Sequence, residues 1–206
     1  MPPSITTAFS AFNTTTTPKT ISISYNAGDQ VVVLMLSEND GGAGDAFGTP
    51  TGTGLSFAPI DVDSGATGSH CRGGSWQCIA SAGGSSISIS EGGGPNNNFG
   101  GVAIVAAAGT FTGIGVHGRV VDTSKTATAN PANHSVMCEI LGDWSAVSPA
   151  GVVYVPSGGT QITNGQVGAS YTHYSVTWAD TIAGSNGYGV SNVSSSGTFT
   201  KVYVEI

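Results

Sequence analysis

Residues that favour helices are nearly missing from this chain. Only 8% of its 206 residues are charged, 32 are glycine, and serine and threonine fill much of the remainder. Lys, Arg, Glu and Leu stabilise helix interiors, whereas β-branched and turn-forming residues favour short extended segments joined by open loops. The composition therefore predicts an all-β protein with little or no helix.

Hydrophobic periodicity places the strands. Ile21 and Ile23 alternate with Ser22 and Ser24, the mark of a strand with one covered face. Asn26-Ala27-Gly28-Asp29 then turns the chain into the unbroken run Val31-Val32-Val33-Leu34-Met35-Leu36, which reads as a strand buried on both sides. These two segments are expected to pair as a hairpin at Gly28. Further strands are predicted at 55–61, 74–81, 85–90, 100–107, 114–121, 134–141, 151–155, 171–180 and 198–206, with Gly-rich breaks between them. About ten antiparallel strands suggest a two-sheet β-sandwich of jelly-roll type, and no repeat of fixed period stands out. The domain organisation read from this pattern is a Thr- and Pro-rich amino-terminal arm over 1–18, followed by a single sandwich over 19–206. Within the arm, Ile5, Phe9 and Phe12 are the side chains able to dock on the body or on a neighbouring subunit.

Charge limits the partners. A net charge of −7 leaves Lys19, Arg72, Arg119, Lys125 and Lys201 as scattered cations, without the basic stripe that phosphate binding requires. Nucleic acid and anionic membrane are therefore not expected partners. No apolar run approaches the length of a membrane span, and the first residues lack the basic and apolar regions of an export signal. Cys71, Cys78 and Cys138 cannot all pair within one chain, which favours free thiols formed in a reducing cytoplasm.

Several patterns touch on chemistry, and each has a plainer explanation. Gly113-Ile114-Gly115-Val116-His117-Gly118 spells a dinucleotide fingerprint, but a β-like run follows where a helix is required. His70, Cys71 and Cys78 lack the paired spacing of a zinc site. Asp61 with Asp63, and Glu38 with Asp40 and Asp45, are carboxylates in loop or strand-end settings without an EF-hand pattern. No Gly-x-Ser-x-Gly elbow accompanies His70, His117, His134 and His173. The reading is a protein without catalytic residues, cofactor or metal. Among the aromatic residues Trp144 is the best candidate for a glycan or partner contact, with Asp143 beside it, because Gly142-Asp143-Trp144-Ser145 reads as a turn. The sequons at Asn13, Asn133 and Asn192 follow from the abundance of Ser and Thr.

The order of several segments carries a resemblance: Ile21-Ser22-Ile23 with Asn26-Ala27-Gly28-Asp29 and the valine run, then Trp76-Gln77, then Asn133-His134-Ser135-Val136-Met137 leading to Gly142-Asp143-Trp144-Ser145-Ala146-Val147, and finally Lys201-Val202-Tyr203-Val204-Glu205-Ile206. In this order the chain resembles the small jelly-roll structural proteins, often labelled minor tail proteins, that tailed bacteriophages of actinobacteria encode among their virion genes. The resemblance implies a non-enzymatic virion component, a minor tail or capsid-decoration protein. Such a protein would be made in the bacterial cytoplasm and would act through contacts with copies of itself and other virion proteins. The alternative expectation is a carbohydrate-binding module that attaches to a host surface.

Overall fold

Eighteen strands and no helix make up the described part of the chain, which in the computed structural model comprises residues 1–14, 18–37, 46–63, 71–92, 98–167, 171–195 and 197–206. The first ten strands are β1 (Ile5–Phe9), β2 (Asn13–Thr14), β3 (Lys19–Tyr25), β4 (Gln30–Ser37), β5 (Thr51–Gly52), β6 (Leu55–Ser56), β7 (Ala58–Val62), β8 (Arg72–Ile79), β9 (Gly84–Ile89) and β10 (Asn98–Ala106). The remaining eight are β11 (His117–Asp122), β12 (Thr126–Ala129), β13 (Val136–Asp143), β14 (Val153–Val155), β15 (Thr160–Val167), β16 (Tyr171–Ala179), β17 (Asn186–Ser191) and β18 (Phe199–Glu205). All pairings are antiparallel.

The strands form four sheets stacked as four layers. An outer N-terminal sheet, β3-β9-β5-β6, covers one face of an inner N-terminal sheet, β1-β10-β4-β8-β7, in which β2 also pairs with β10. Ile21, Ile23, Ile87 and Ile89 from the outer sheet meet Val31, Val33, Met35 and Trp76 from the inner one. The opposite face of the inner sheet, with Val32, Leu34, Leu36, Val102 and Ile104, packs on Cys138, Ile140, Val202 and Val204 of an inner C-terminal sheet, β11-β18-β13-β16-β15. That sheet is covered in turn by an outer C-terminal sheet, β12-β17-β14, through Met137, Val176 and Trp178 against Ala127, Ala129 and Tyr188. Every residue of β4, β10, β13 and β18 is buried, as expected of strands with apolar layers on both sides.

The halves of the chain repeat one another. Strand for strand, β1-β10-β4-β8-β7 corresponds to β11-β18-β13-β16-β15, and β3-β9-β5 to β12-β17-β14. Side chains follow suit: Lys19-Thr20-Ile21-Ser22-Ile23 matches Lys125-Thr126-Ala127-Thr128-Ala129, Trp76 matches Val176, and Phe99, Val102 and Ile104 match Phe199, Val202 and Val204. β7 lies over β11 and β1 over β15, the reciprocal pairing that an approximate two-fold axis between two sandwiches produces. One sandwich of about ten strands thus gives way to two sandwiches joined face to face.

Two further expectations are revised. The turn at Gly28 exists, with φ of 91°, but β3 and β4 belong to different sheets: β3 pairs with β9, and β4 with β10 and β8. The two patterns differ because one strand lies in an outer layer and the other in an inner layer. The arm over 1–18 is also redefined, since Ile5–Phe9 pairs with β10 along its whole length, from Ile5 opposite Ala106 to Phe9 opposite Val102.

The joint between the sandwiches is tight. A Cβ on Gly73 would lie 2.4 Å from Val202, and one on Gly142 would lie 2.8 Å from Cys71 and Leu36. Leu34 sits at the centre of this joint. Leu34→Ala is expected to cost about 3 kcal/mol, read as a lower urea midpoint. Variants that keep only Trp76 or only Trp178 report the two sandwiches separately, and their fluorescence transitions should coincide. Two separated transitions would show that the joint does not couple the halves.

Candidate functional site

The residues singled out from sequence serve mainly within the chain. Ile5 and Phe12 pack into the core between the inner sheets. Phe12 covers Gly100, where a Cβ would lie 2.6 Å from the ring, and stacks on His173 with centroids 3.9 Å apart and planes 11° apart. Phe9, 49% exposed, alone of the three faces outward. Lys19 closes the segment by donating to the carbonyls of Ala11 (3.1 Å), Asn13 (2.7 Å) and Phe99 (2.5 Å). Burial pulls the Lys19 ammonium down to about 8, and the charge of Glu91 holds it from falling further.

Asp143 is buried at the end of β13, where its Oδ1 accepts from Ser195 Oγ (2.7 Å) and the Ser145 amide (2.9 Å). Burial raises its carboxyl above the usual range, and the Ser195 hydrogen bond works against that rise. The Trp144 amide donates to the Thr198 carbonyl at 3.0 Å, and its half-buried ring packs against the joint. These residues brace the inner C-terminal sheet, and the Trp144 ring keeps part of its surface in solvent.

Two ionic rungs cross the joint. Asp61 meets His117 Nδ1 at 2.7 Å and Asp63 meets Arg119 at 3.1 Å, so the alternate residues of β7 and its extension face alternate residues of β11. This is the use the fold makes of Asp61 and Asp63. The Gly113–Gly118 run leads into β11 and no helix follows. Cys71 and Cys138 lie buried in the joint and Cys78 in the N-terminal core, all three as free thiols; burial pushes Cys78 up to about 11 and Cys138 higher still. Among the described residues no group of three His, Cys, Asp or Glu side chains is placed to hold a metal. Glu38, Asp40, Asp45 and His70 lie outside the described residues.

At the far end of the C-terminal sandwich His134 Nδ1 meets Asp180 Oδ1 at 2.5 Å, with φ of 62° and 59° at the two residues. A groove of about 360 Å³ lined by Phe111, Ile114, Asn133 and Glu205 lies on one side, and one of about 310 Å³ lined by Pro156, Ile182 and Asn186 on the other. Ser135 Oγ is turned to the Ala132 carbonyl (3.1 Å) and Thr181 Oγ1 (2.5 Å), so no serine nucleophile faces this pair among the described residues.

The cluster that sequence reasoning missed lies inside the C-terminal sandwich. Lys201 on β18 is fully buried, and its Nζ is ion-paired with Asp122 Oδ1 while donating to the Ser124 carbonyl at 2.7 Å. On the other side of β18, Glu139 of β13 is buried with neither carboxylate oxygen hydrogen-bonded. Burial pushes its carboxyl up to about 8, against the pull of Lys201. A signal was present: Phe199-Thr200-Lys201-Val202-Tyr203 and Met137-Cys138-Glu139-Ile140-Leu141 each place a charged residue in phase with core side chains.

Compared with known proteins, the chain matches no family, no curated protein and no solved structure.

His173 gives the joint a pH dependence. Burial lowers its imidazole from the ordinary 6.5 to about 4, with the Gly165 backbone hydrogen bond opposing the fall. Below 6.5 the unfolded chain binds a proton that the folded chain refuses, so stability present at pH 7 is lost as the pH falls toward 4. Lowering the pH from 7 to 5 should remove about 2 kcal/mol through this residue. In urea titrations at both pH values His173→Gln should lose less between them than wild type; an equal loss would exclude His173 as the source.

Proposed function

We propose that this chain is a non-enzymatic structural protein of a bacteriophage virion, a minor tail or capsid-decoration component acting through contacts with copies of itself and other virion proteins. The observation that carries this reading is the tandem repetition of one sandwich around an approximate two-fold axis. In each repeat the last strand lies between the first strand and an inner strand, β4 or β13, which is followed by β8 or β16, in the order β1-β10-β4-β8 and again β11-β18-β13-β16. We read that winding as a jelly roll, with β7 in the N-terminal repeat and β15 in the C-terminal repeat pairing across to the inner sheet.

A stack of four layers is a stiff block. Its short outer strands β12 and β14, free of charged residues, are available for side-by-side contact. Phe9, Ile79 and Val153 add exposed apolar points of contact. On this reading the chain needs no cofactor and is made in the host cytoplasm before being carried in the particle. The alternative reading is a glycan-binding module, for which the partly buried Trp144 beside Asp143 remains the candidate contact.

Mass spectrometry of gradient-purified particles from a phage encoding this chain provides the test. The chain is expected in the particle fraction at a fixed ratio to the major capsid protein, resistant to a high-salt wash. Abundance in the lysate with absence from washed particles would overturn the proposal.

A further inference from the structure

Asp122 of β11, Lys201 of β18 and Glu139 of β13, three adjacent strands of the inner C-terminal sheet, project from the same face of that sheet, Lys201 and Glu139 buried and Asp122 at the solvent edge. Asp122 and Lys201 lie diagonally across the β11–β18 ladder, in which Val120 faces Lys201 and Asp122 faces Phe199. Glu139 and Lys201 are diagonal across the β18–β13 ladder, in which Leu141 faces Lys201 and Glu139 faces Tyr203. Directly paired residues project to the same face of an antiparallel sheet, and diagonal neighbours are within reach of long side chains. Lysine in the middle strand is thus flanked by one carboxyl that it contacts and another that is buried and unbonded.

The N-terminal sandwich shows that the architecture does not require this. At the matching positions it carries Val33 in place of Glu139 and Gly101 in place of Lys201, and it packs without them. A buried acid left without hydrogen bonds costs stability, and so does a buried lysine. Glu139 and Lys201 are retained against that cost at positions where the other repeat has neither, which calls for chemistry that uses them.

We propose that Lys201 and Asp122 are the partners of an intramolecular isopeptide bond, formed by the folded chain itself with Glu139 as the proton relay. Nζ first gives one proton to the Asp122 oxygen that it contacts, and the lone pair so freed attacks Asp122 Cγ, forming a C–N bond. A second proton leaves the nitrogen and passes through the Glu139 carboxyl to the same oxygen, whose C–O bond breaks as it departs as water. An ammonium and a carboxylate become one amide and one water, so charge and atoms balance without oxidant, activator or metal. Lys201 is sealed from solvent while the Asp122 side chain is 44% exposed, which leaves the departing water a way out. A buried carboxyl that stays protonated near neutral pH is suited to exchange protons on both sides of the step.

The covalent link would join β11 to β18, and with it the segment that connects the two sandwiches to the last strand of the second. The inference stands apart from the virion reading: the bond forms, or does not, whatever the chain assembles with.

Intact-mass measurement on the purified full-length chain decides it. After folding and incubation at neutral pH, wild type is expected to be lighter than its sequence by one water, and tandem spectra of a digest should contain a branched peptide joining Asp122 to Lys201. Lys201→Ala and Asp122→Ala should each show the full sequence mass. Glu139→Gln, which keeps both partners, should remain unlinked or link many times more slowly. Wild type at its full sequence mass would overturn the proposal, as would a water loss that survives Lys201→Ala, since that dehydration would be a succinimide. Linkage of Glu139→Gln at the wild-type rate would overturn the role given to Glu139.

Discussion

Burial of the two inner sheets on both faces is the constraint on which the remaining structure depends. A sheet covered on one side requires a core; two sheets that also cover each other require three cores in register along one stack. This is why β4, β10, β13 and β18 have no exposed residue and why small residues such as Gly73 and Gly142 occur where the inner sheets meet. The outer sheets carry the alternating pattern, with polar residues outward. Close packing of the central joint, together with the ionic rungs of Asp61 with His117 and Asp63 with Arg119, makes the two sandwiches one body.

Within that frame the repeats have diverged in where they hold charge. The N-terminal half has Val33 and Gly101 where Glu139 and Lys201 stand, and buries Lys19, Arg72 and Glu91 at other positions, Lys19 tying the first strands down through backbone carbonyls. The C-terminal repeat keeps a lysine and a carboxyl buried on its outer-facing side. Duplicated units with the same strand order serve as internal controls for one another, because a feature the fold demands should occur twice. Val102 and Val202, or Phe99 and Phe199, pass that comparison. Glu139 and Lys201 do not, and they are the residues for which a purpose beyond packing is argued.

The all-β class was legible in the sequence because it depends on composition and short-range periodicity, both of which survive loop variation. The long buried strands were placed well: Val31 to Leu36, the stretch around Trp76 and the closing Val202-Tyr203-Val204 lie where the pattern put them. Short or polar strands were missed, among them Thr126–Ala129 and Thr160–Val167, since nothing in Thr-Gln-Ile-Thr-Asn-Gly-Gln-Val distinguishes a covered edge from a turn. The duplication was hidden because loops of different length shift the spacing between matching strands, while substitutions such as Ile21 for Ala127 preserve the face and not the identity. Layer assignment also exceeded the pattern. Alternation reveals how many faces of a strand are covered, and the neighbour that covers them is a tertiary fact.

The face that joins the sandwiches has a consequence for a chain made from one end to the other. The N-terminal inner sheet cannot be completed until β10 has left the ribosome, because β1 and β4 both pair with that strand. Once completed it still presents Val32, Leu34, Val102 and Ile104 to water until the partner sheet, whose β18 is the last strand made, has formed. At common elongation speeds that interval is roughly five to twenty seconds. During it a nascent chain on a crowded polysome carries a sticky surface built to receive a sheet of its own kind, and neighbouring nascent chains offer the same surface. Fast closure of the second half, or a chaperone waiting at the exit tunnel, separates a monomer from an entangled pair.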